Sequence, residues 1–139
     1  MSKRAAGAAT IFVVDDDPIA LEFCRSTLVR AGYNVLAASG IKQALSLFES
    51  YRSRIELALI DVVMPGTNGV QLAKSLEKLN PGTRIVLMSG YSPDEVKRIV
   101  ADDASSYRSM WKPFEADTLV QTVKNVLDTP VQKGAVRGA

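Results

Sequence analysis

Six side chains stand where chemistry could start. Asp15, Asp16 and Asp17 lie in a row, and Asp61 is set in the apolar run "LALIDVVMPG". Ser89 closes a second apolar run, "TRIVLMS", and Lys112 opens "KPF". Carboxylates brought close together repel and disturb one another's protonation. A hard divalent cation relieves that, and oxygen donors with no histidine or paired cysteine favour Mg²⁺. Each residue also has an ordinary structural explanation. Asp17 is a good helix cap, Ser89 before Gly90 suits a loop, and Lys112 before Pro113 suits an exposed turn. Asp61 resists such an explanation, because a solvated acid belongs on a polar face and its neighbours are apolar.

The elements that must position these residues follow from alternating patterns. "TIFVVD", "YNVLAAS", "ELALID", "TRIVLMS" and the weaker "SYRSMW" read as five strands. Between and after them come five helical stretches. The first opens with Asp17 as cap and Pro18 at its first position, and Ala20, Phe23, Cys24, Thr27, Leu28 and Ala31 recur at helical spacing. The second places Ile41, Leu45 and Phe48 on one side. The third runs from Asn68 to Asn80. The fourth, "SPDEVKRIVADD", has Ser92 as cap and Glu95 completing a capping box. The fifth carries Leu119, Val120, Val123, Val126 and Leu127 on one face. Continuous apolar strands imply a sheet covered on both faces. The expected architecture is α/β: a doubly wound, five-stranded parallel sheet, flavodoxin-like, with strand order 2-1-3-4-5 and five helices. In such folds ligands bind outside the carboxyl ends of the strands. Asp15, Asp16, Asp61, Ser89 and Lys112 all fall at strand ends, so the fold would gather them on one edge.

Composition narrows the classes. The chain has 139 residues, suiting one domain, with no histidine, one cysteine and a net charge of +2. No internal disulfide and no His-based catalysis are possible, and a reducing, cytoplasmic setting is the simplest expectation. No apolar stretch reaches the length of a membrane span. Lys3, Arg4, Lys133 and Arg137 lie in the terminal stretches, leaving 13 basic against 15 acidic residues elsewhere. The positive balance therefore belongs to the tails, and direct nucleic-acid binding is not expected.

The motifs "VVDDDP", "LIDVVMPGTNG", "VLMSGYS" and "KPF", in this order and at these intervals, resemble the receiver domain of two-component response regulators. The resemblance covers about Ile11 to Asp128. It implies flexible tails at 1–9 and 129–139 around a receiver domain at 10–128. It implies that Asp61 accepts a phosphoryl group from a histidine kinase or histidine phosphotransferase. Asp16, Asp61 and the Val63 backbone carbonyl would hold Mg²⁺ directly, with Asp15 acting through a water. Lys112 would pair with Asp61 and then with a phosphoryl oxygen, and the Ser89 hydroxyl would move to donate to the phosphoryl group. This suits the chemistry, since phosphoryl transfer asks for positioning and charge neutralisation. The Lys112–Pro113 bond would be cis. Val63 and Tyr91 would shield the acyl phosphate, giving slow self-dephosphorylation.

The resemblance also implies an aromatic residue three positions before Lys112, where this chain has Ser109. Tyr107 and Trp111 share a strand face with it. Either another ring substitutes or the output surface differs, and the second is the expectation; simple packing of both rings on a distorted edge strand is the plainer alternative. The functional expectation is a stand-alone, phosphorylation-switched binding module or phosphorelay member, monomeric or forming a phosphorylation-dependent homodimer. It would contact a downstream protein of unknown identity, with no membrane contact. It would not be an enzyme beyond assisting its own phosphotransfer. Two alternatives stay open. One is an aspartate-nucleophile phosphatase of haloacid-dehalogenase type using Asp15, since Asp15 and Asp17 form a D-x-D. The other is a binding module independent of phosphorylation.

Overall fold

The computed structural model describes residues 8–100 and 104–130. The rest of the two expected tails, 1–7 and 131–139, lies outside the described residues, as does 101–103 at the end of the expected fourth helix. The strands of the main sheet are β1 (Thr10–Val14), β2 (Asn34–Ala38), β3 (Ile55–Asp61), β4 (Arg84–Ser89) and β5 (Arg108–Trp111). The helices are α1 (Pro18–Arg30), α2 (Ile41–Tyr51), α3 (Gly69–Leu79), α4 (Pro93–Ile99) and α5 (Ala116–Leu127). All strand pairs of the sheet are parallel and the order is β2-β1-β3-β4-β5. This is the expected doubly wound, flavodoxin-like arrangement.

The apolar character of the strands has its reason in two separate cores. Phe12, Val14, Ala58, Ile60 and Leu87 face α2, α3 and α4, where they meet Phe48, Leu76 and Val96. Ile11, Val13, Leu57, Leu59, Val86 and Met88 face α1 and α5, where they meet Cys24, Leu28, Leu119 and Val123. Successive residues of a strand point to opposite faces, so a strand buried on both sides has no polar position until it ends.

Local signals set the helix starts. Asp17 accepts from the Ile19 N–H, with Pro18 inside the first turn of α1. Asn68 accepts from the Gln71 N–H at the start of α3. At α4 both halves of the Ser92–Glu95 capping box are made.

Three local expectations need correction. In α2 the buried face is Ala44 and Phe48 with Ile41 and Leu47 beside them, while Leu45 is 37% exposed. Helix α4 has only seven residues, because Val100 is already extended and turns its side chain into the core. A short antiparallel ribbon, Val63–Met64 with Thr67–Asn68, fills the turn that follows Asp61 and was not foreseen.

Candidate phosphoacceptor site

The carboxyl ends of β1, β3, β4 and β5 bring the polar residues together. Asp15 follows β1 and is fully buried. Its Oδ1 accepts from the Asp17 N–H at 2.9 Å, and its Oδ2 takes the Lys112 Nζ at 2.6 Å. Asp61, the last residue of β3, is 6% exposed, and its Oδ1 lies 3.4 Å from the same Nζ. Lys112 therefore sits on both carboxylates and more tightly on Asp15. The expected Lys112–Asp61 pair is present but is the longer of the two. The Lys112–Pro113 bond is cis.

The backbone makes Asp61 a rigid platform. Asp61 pairs with Met88 across β3 and β4, and the Val62 N–H donates to the Met88 carbonyl at 2.8 Å. Gly66 takes φ +85 in the ribbon's turn, a conformation that favours glycine. Gly69, the first residue of α3, then folds back so that its N–H meets the Val62 carbonyl at 2.7 Å. A Cβ on Gly69 would overlap the Asp61 carbonyl oxygen and approach the Val62 Cα to 2.9 Å. The tight packing at this glycine is thus a contact with the backbone of Asp61 itself.

The electrostatics follow from this geometry. Burial, then the charge of Asp15, pushes the Asp61 carboxyl up to about 7, against the opposing pull of Lys112. The expected repulsion between acids is one cause, and loss of water is the larger. Burial pulls the Lys112 ammonium down, but its hydrogen bond to Asp15 and the charges of Asp61 and Asp15 outweigh this and hold it above its ordinary range.

One carboxylate oxygen from each of Asp15, Asp16 and Asp61 lies within 4.8 Å of the others, and Asp16 is exposed. Three hard oxygen donors, one at a carboxyl that burial and a like charge hold near neutral pH, fit a small divalent cation such as Mg²⁺.

Ser89 ends β4 and is buried, but its hydroxyl is turned to its own loop. It accepts from the Tyr91 N–H at 3.0 Å and donates to the Tyr91 carbonyl at 3.3 Å. Val63 is half-buried in the ribbon opposite Asn68, and Tyr91 is exposed. Two features escaped the sequence reading. The first is the role of the Asp17 backbone amide in holding Asp15, which no side-chain motif announces. The second is the sulfur pair below the site, Cys24 Sγ to Met88 Sδ at 4.0 Å. The Cys24 thiol is pushed up to about 12, by burial first and the Asp15 charge second, so it stays protonated.

The sequence profile of the response regulator receiver domain matches residues 11–124. The chain belongs to the response regulator receiver family. Its receiver is 31% identical over 123 residues to the sensor kinase CckA of Brucella abortus (strain 2308), covering 88% of this chain and 13% of that protein. It is 32% identical over 120 residues to the transcriptional regulatory protein AruR of Pseudomonas aeruginosa, covering 84% and 48%. The chain thus spans less than half the length of these curated relatives. Among solved structures, the receiver superposes on the Vibrio cholerae chemotaxis protein CheY4 with a TM-score of 0.73 at 26% identity, covering 86% of this chain and 99% of that one. It superposes equally, at 0.73 and 27% identity, on the receiver domain of the hybrid histidine kinase CckA, covering 86% and 100%. No helix of the described residues is long and apolar enough to cross a membrane.

Proposed function

We propose that residues 10–128 form a phosphorylation-switched signalling receiver in which Asp61 accepts a phosphoryl group from a phosphohistidine on a histidine kinase or histidine phosphotransferase. The observation that carries this reading is Asp61 itself. It is a buried carboxylate at a strand end, with Lys112 Nζ at 3.4 Å and oxygens of Asp15 and Asp16 within 4.8 Å. An oxygen of ionised Asp61 attacks the phosphorus, and the P–N bond breaks with its electron pair left on the imidazole nitrogen. Lys112 keeps Asp61 poised and then balances charge on a phosphoryl oxygen. The Ser89 hydroxyl turns from Tyr91 to donate to another.

Asp16, Asp61 and the Val63 carbonyl would hold Mg²⁺ directly, with Asp15 acting through a water. The bound ion supplies positive charge against the phosphoryl oxygens. The phosphorylated protein changes its protein-binding surface or passes the phosphoryl group onward. Val63 and Tyr91 flank the acyl phosphate and slow its hydrolysis. A cytoplasmic setting, and a monomer or phosphorylation-dependent homodimer, belong to the same reading.

The haloacid-dehalogenase alternative has less support, because both oxygens of Asp15 are already engaged, by the Asp17 amide and by Lys112. Incubation with Mg²⁺ and acetyl phosphate, followed by intact mass, tests the proposal. The wild type should gain the mass of one phosphoryl group and Asp61→Asn should gain none. An unmodified wild type, or an undiminished gain in Asp61→Asn, would sink it.

A further inference from the structure

We infer that Asp17 is a positioning residue for this site. Through its backbone amide and its capping carboxylate, the first turn of α1 fixes Asp15 as the holder of Lys112 and so leaves Asp61 open to a cation. This inference rests on the reading of Asp15, Asp16 and Asp61 as the Mg²⁺ site.

Three consecutive aspartates take three directions. Asp15 is fully buried, whereas Asp16 and Asp17 are exposed. Asp16 joins Asp15 and Asp61 in the group that could hold a cation, and Asp17 stands outside that group. The Asp17 carboxylate turns to the helix instead, where its Oδ1 accepts from the Ile19 N–H at 3.0 Å. Its carbonyl accepts from the Leu21 N–H at 2.9 Å. Pro18 follows and confines Asp17 to extended backbone, seen here as φ −82 and ψ 113. With side chain and carbonyl both tied to the first turn, the direction of the Asp17 N–H is fixed. That N–H donates to Asp15 Oδ1 at 2.9 Å.

The consequence falls on Lys112. A buried carboxylate oxygen left without a donor is costly. The Asp17 amide occupies Asp15 Oδ1, so Oδ2 is the oxygen that meets Lys112 Nζ, at 2.6 Å. The same Nζ lies 3.4 Å from Asp61 Oδ1. An ammonium shared between two carboxylates rests on the one better placed to receive it, and the amide places Asp15. When the cap is lost, the first turn frays, the Asp17 N–H loses its aim and Asp15 is free to turn. Lys112 then moves onto Asp61, where its positive charge competes with Mg²⁺ for the same carboxylate.

The test is Mg²⁺ binding to the full chain by titration calorimetry, beside denaturant unfolding of each variant. Salt of about 0.15 M screens the charge of the exposed Asp17 carboxylate. Asp17→Ala removes the cap, and Mg²⁺ binding should weaken about fivefold, the scale of a lost cap. Asp17→Asn and Asp17→Ser keep a capping oxygen without the charge and should stay within about twofold of the wild type. In a Lys112→Met background, Asp17→Ala should no longer weaken binding, because the competing ammonium is gone. A purely structural cap would lower the unfolding free energy of Asp17→Ala and leave the affinity of the folded protein unchanged. Unchanged affinity in Asp17→Ala, equal weakening in Asp17→Ala and Asp17→Asn, or undiminished weakening beside Lys112→Met each overturns the inference while leaving the cation site in place. A wild type that binds no Mg²⁺ removes the cation-site reading and the inference with it, so the two failures are distinguishable.

Discussion

At the carboxyl end of the sheet, the buried carboxyls of Asp15 and Asp61 both lie within hydrogen-bond reach of the half-buried Lys112 ammonium. At the amino end, side-chain amides, a hydroxyl and the half-buried Arg84 guanidinium close loops onto backbone carbonyls. Asn80 donates its side-chain amide to the Arg52 carbonyl at 2.6 Å and to Thr83 Oγ1 at 3.0 Å, and accepts from the Gly82 N–H at 3.2 Å. Buried Thr83 donates to the Ile55 carbonyl at 3.0 Å. Arg84 grips the Thr129 carbonyl with two N–H groups, and Asn34 holds the carbonyls of Ala8 and Ala9. The amino end is tied by side-chain hydrogen bonds to backbone carbonyls, two of them from a guanidinium. The other holds two acids and one base, with a third acid at its rim. Buried charges are stabilising only when fully compensated. The site end is therefore a place of stored electrostatic cost, and the opposite end helps hold the fold against it.

Three substitutions sharpen that contrast. The largest effect is expected for Gly69→Ala, which drives a methyl group into the backbone of Asp61 and Val62. A loss of about 3 kcal/mol in denaturant unfolding is the expectation. A loss near zero would show that the ribbon and the start of α3 can yield. Next comes Asn80→Ala at the opposite end, where three hydrogen bonds disappear, at a cost of about 2 kcal/mol by the same measurement.

Asp61→Asn should act with the opposite sign. In metal-free protein the Asp61 carboxyl titrates near 7 when folded, against an ordinary value of 3.8. Below 3.8 both folded and unfolded chains carry the proton, and the difference vanishes. Between 3.8 and 7 the folded protein keeps a proton that the unfolded chain has lost, so stability falls as pH rises, and above 7 the cost is complete. Removing the charge should stabilise the metal-free protein by on the order of 1 to 2 kcal/mol at pH 8, shrinking toward nothing near pH 4. Destabilisation at pH 8 would mean that Asp61 is better compensated by Lys112 than its burial suggests.

Much of this was legible beforehand. The five β-α repeats, the caps at Asp17 and Ser92 and the strand-end placement of Asp61 are carried by short-range patterns. The boundaries that failed are those where distant packing decides. Helix α4 ends at Ile99 because Val100 finds the core, although the helical pattern runs on. Ala44, one turn before Phe48, takes the buried position and Leu45 is left 37% exposed, a choice set by how the helix is rotated against the sheet. Tyr107 and Trp111 share a face by alternation, yet one is buried and bonded to Glu77 and the other is exposed. Neither simple packing of both rings nor substitution by either was written in the strand itself.

Taken alone, the sequence determined the fold class, the edge of the sheet where the acids meet and the residue types available there. Those depend on periodicity and on the rule that strand ends gather at one edge, which are local and topological. Only the tertiary structure decided that Lys112 rests more closely on Asp15 than on Asp61, and that Ser89 is bonded to Tyr91. It also decided which aromatic ring is anchored. The first is a choice between 2.6 and 3.4 Å made by residues 97 and 51 positions apart, a scale that no sequence spacing encodes.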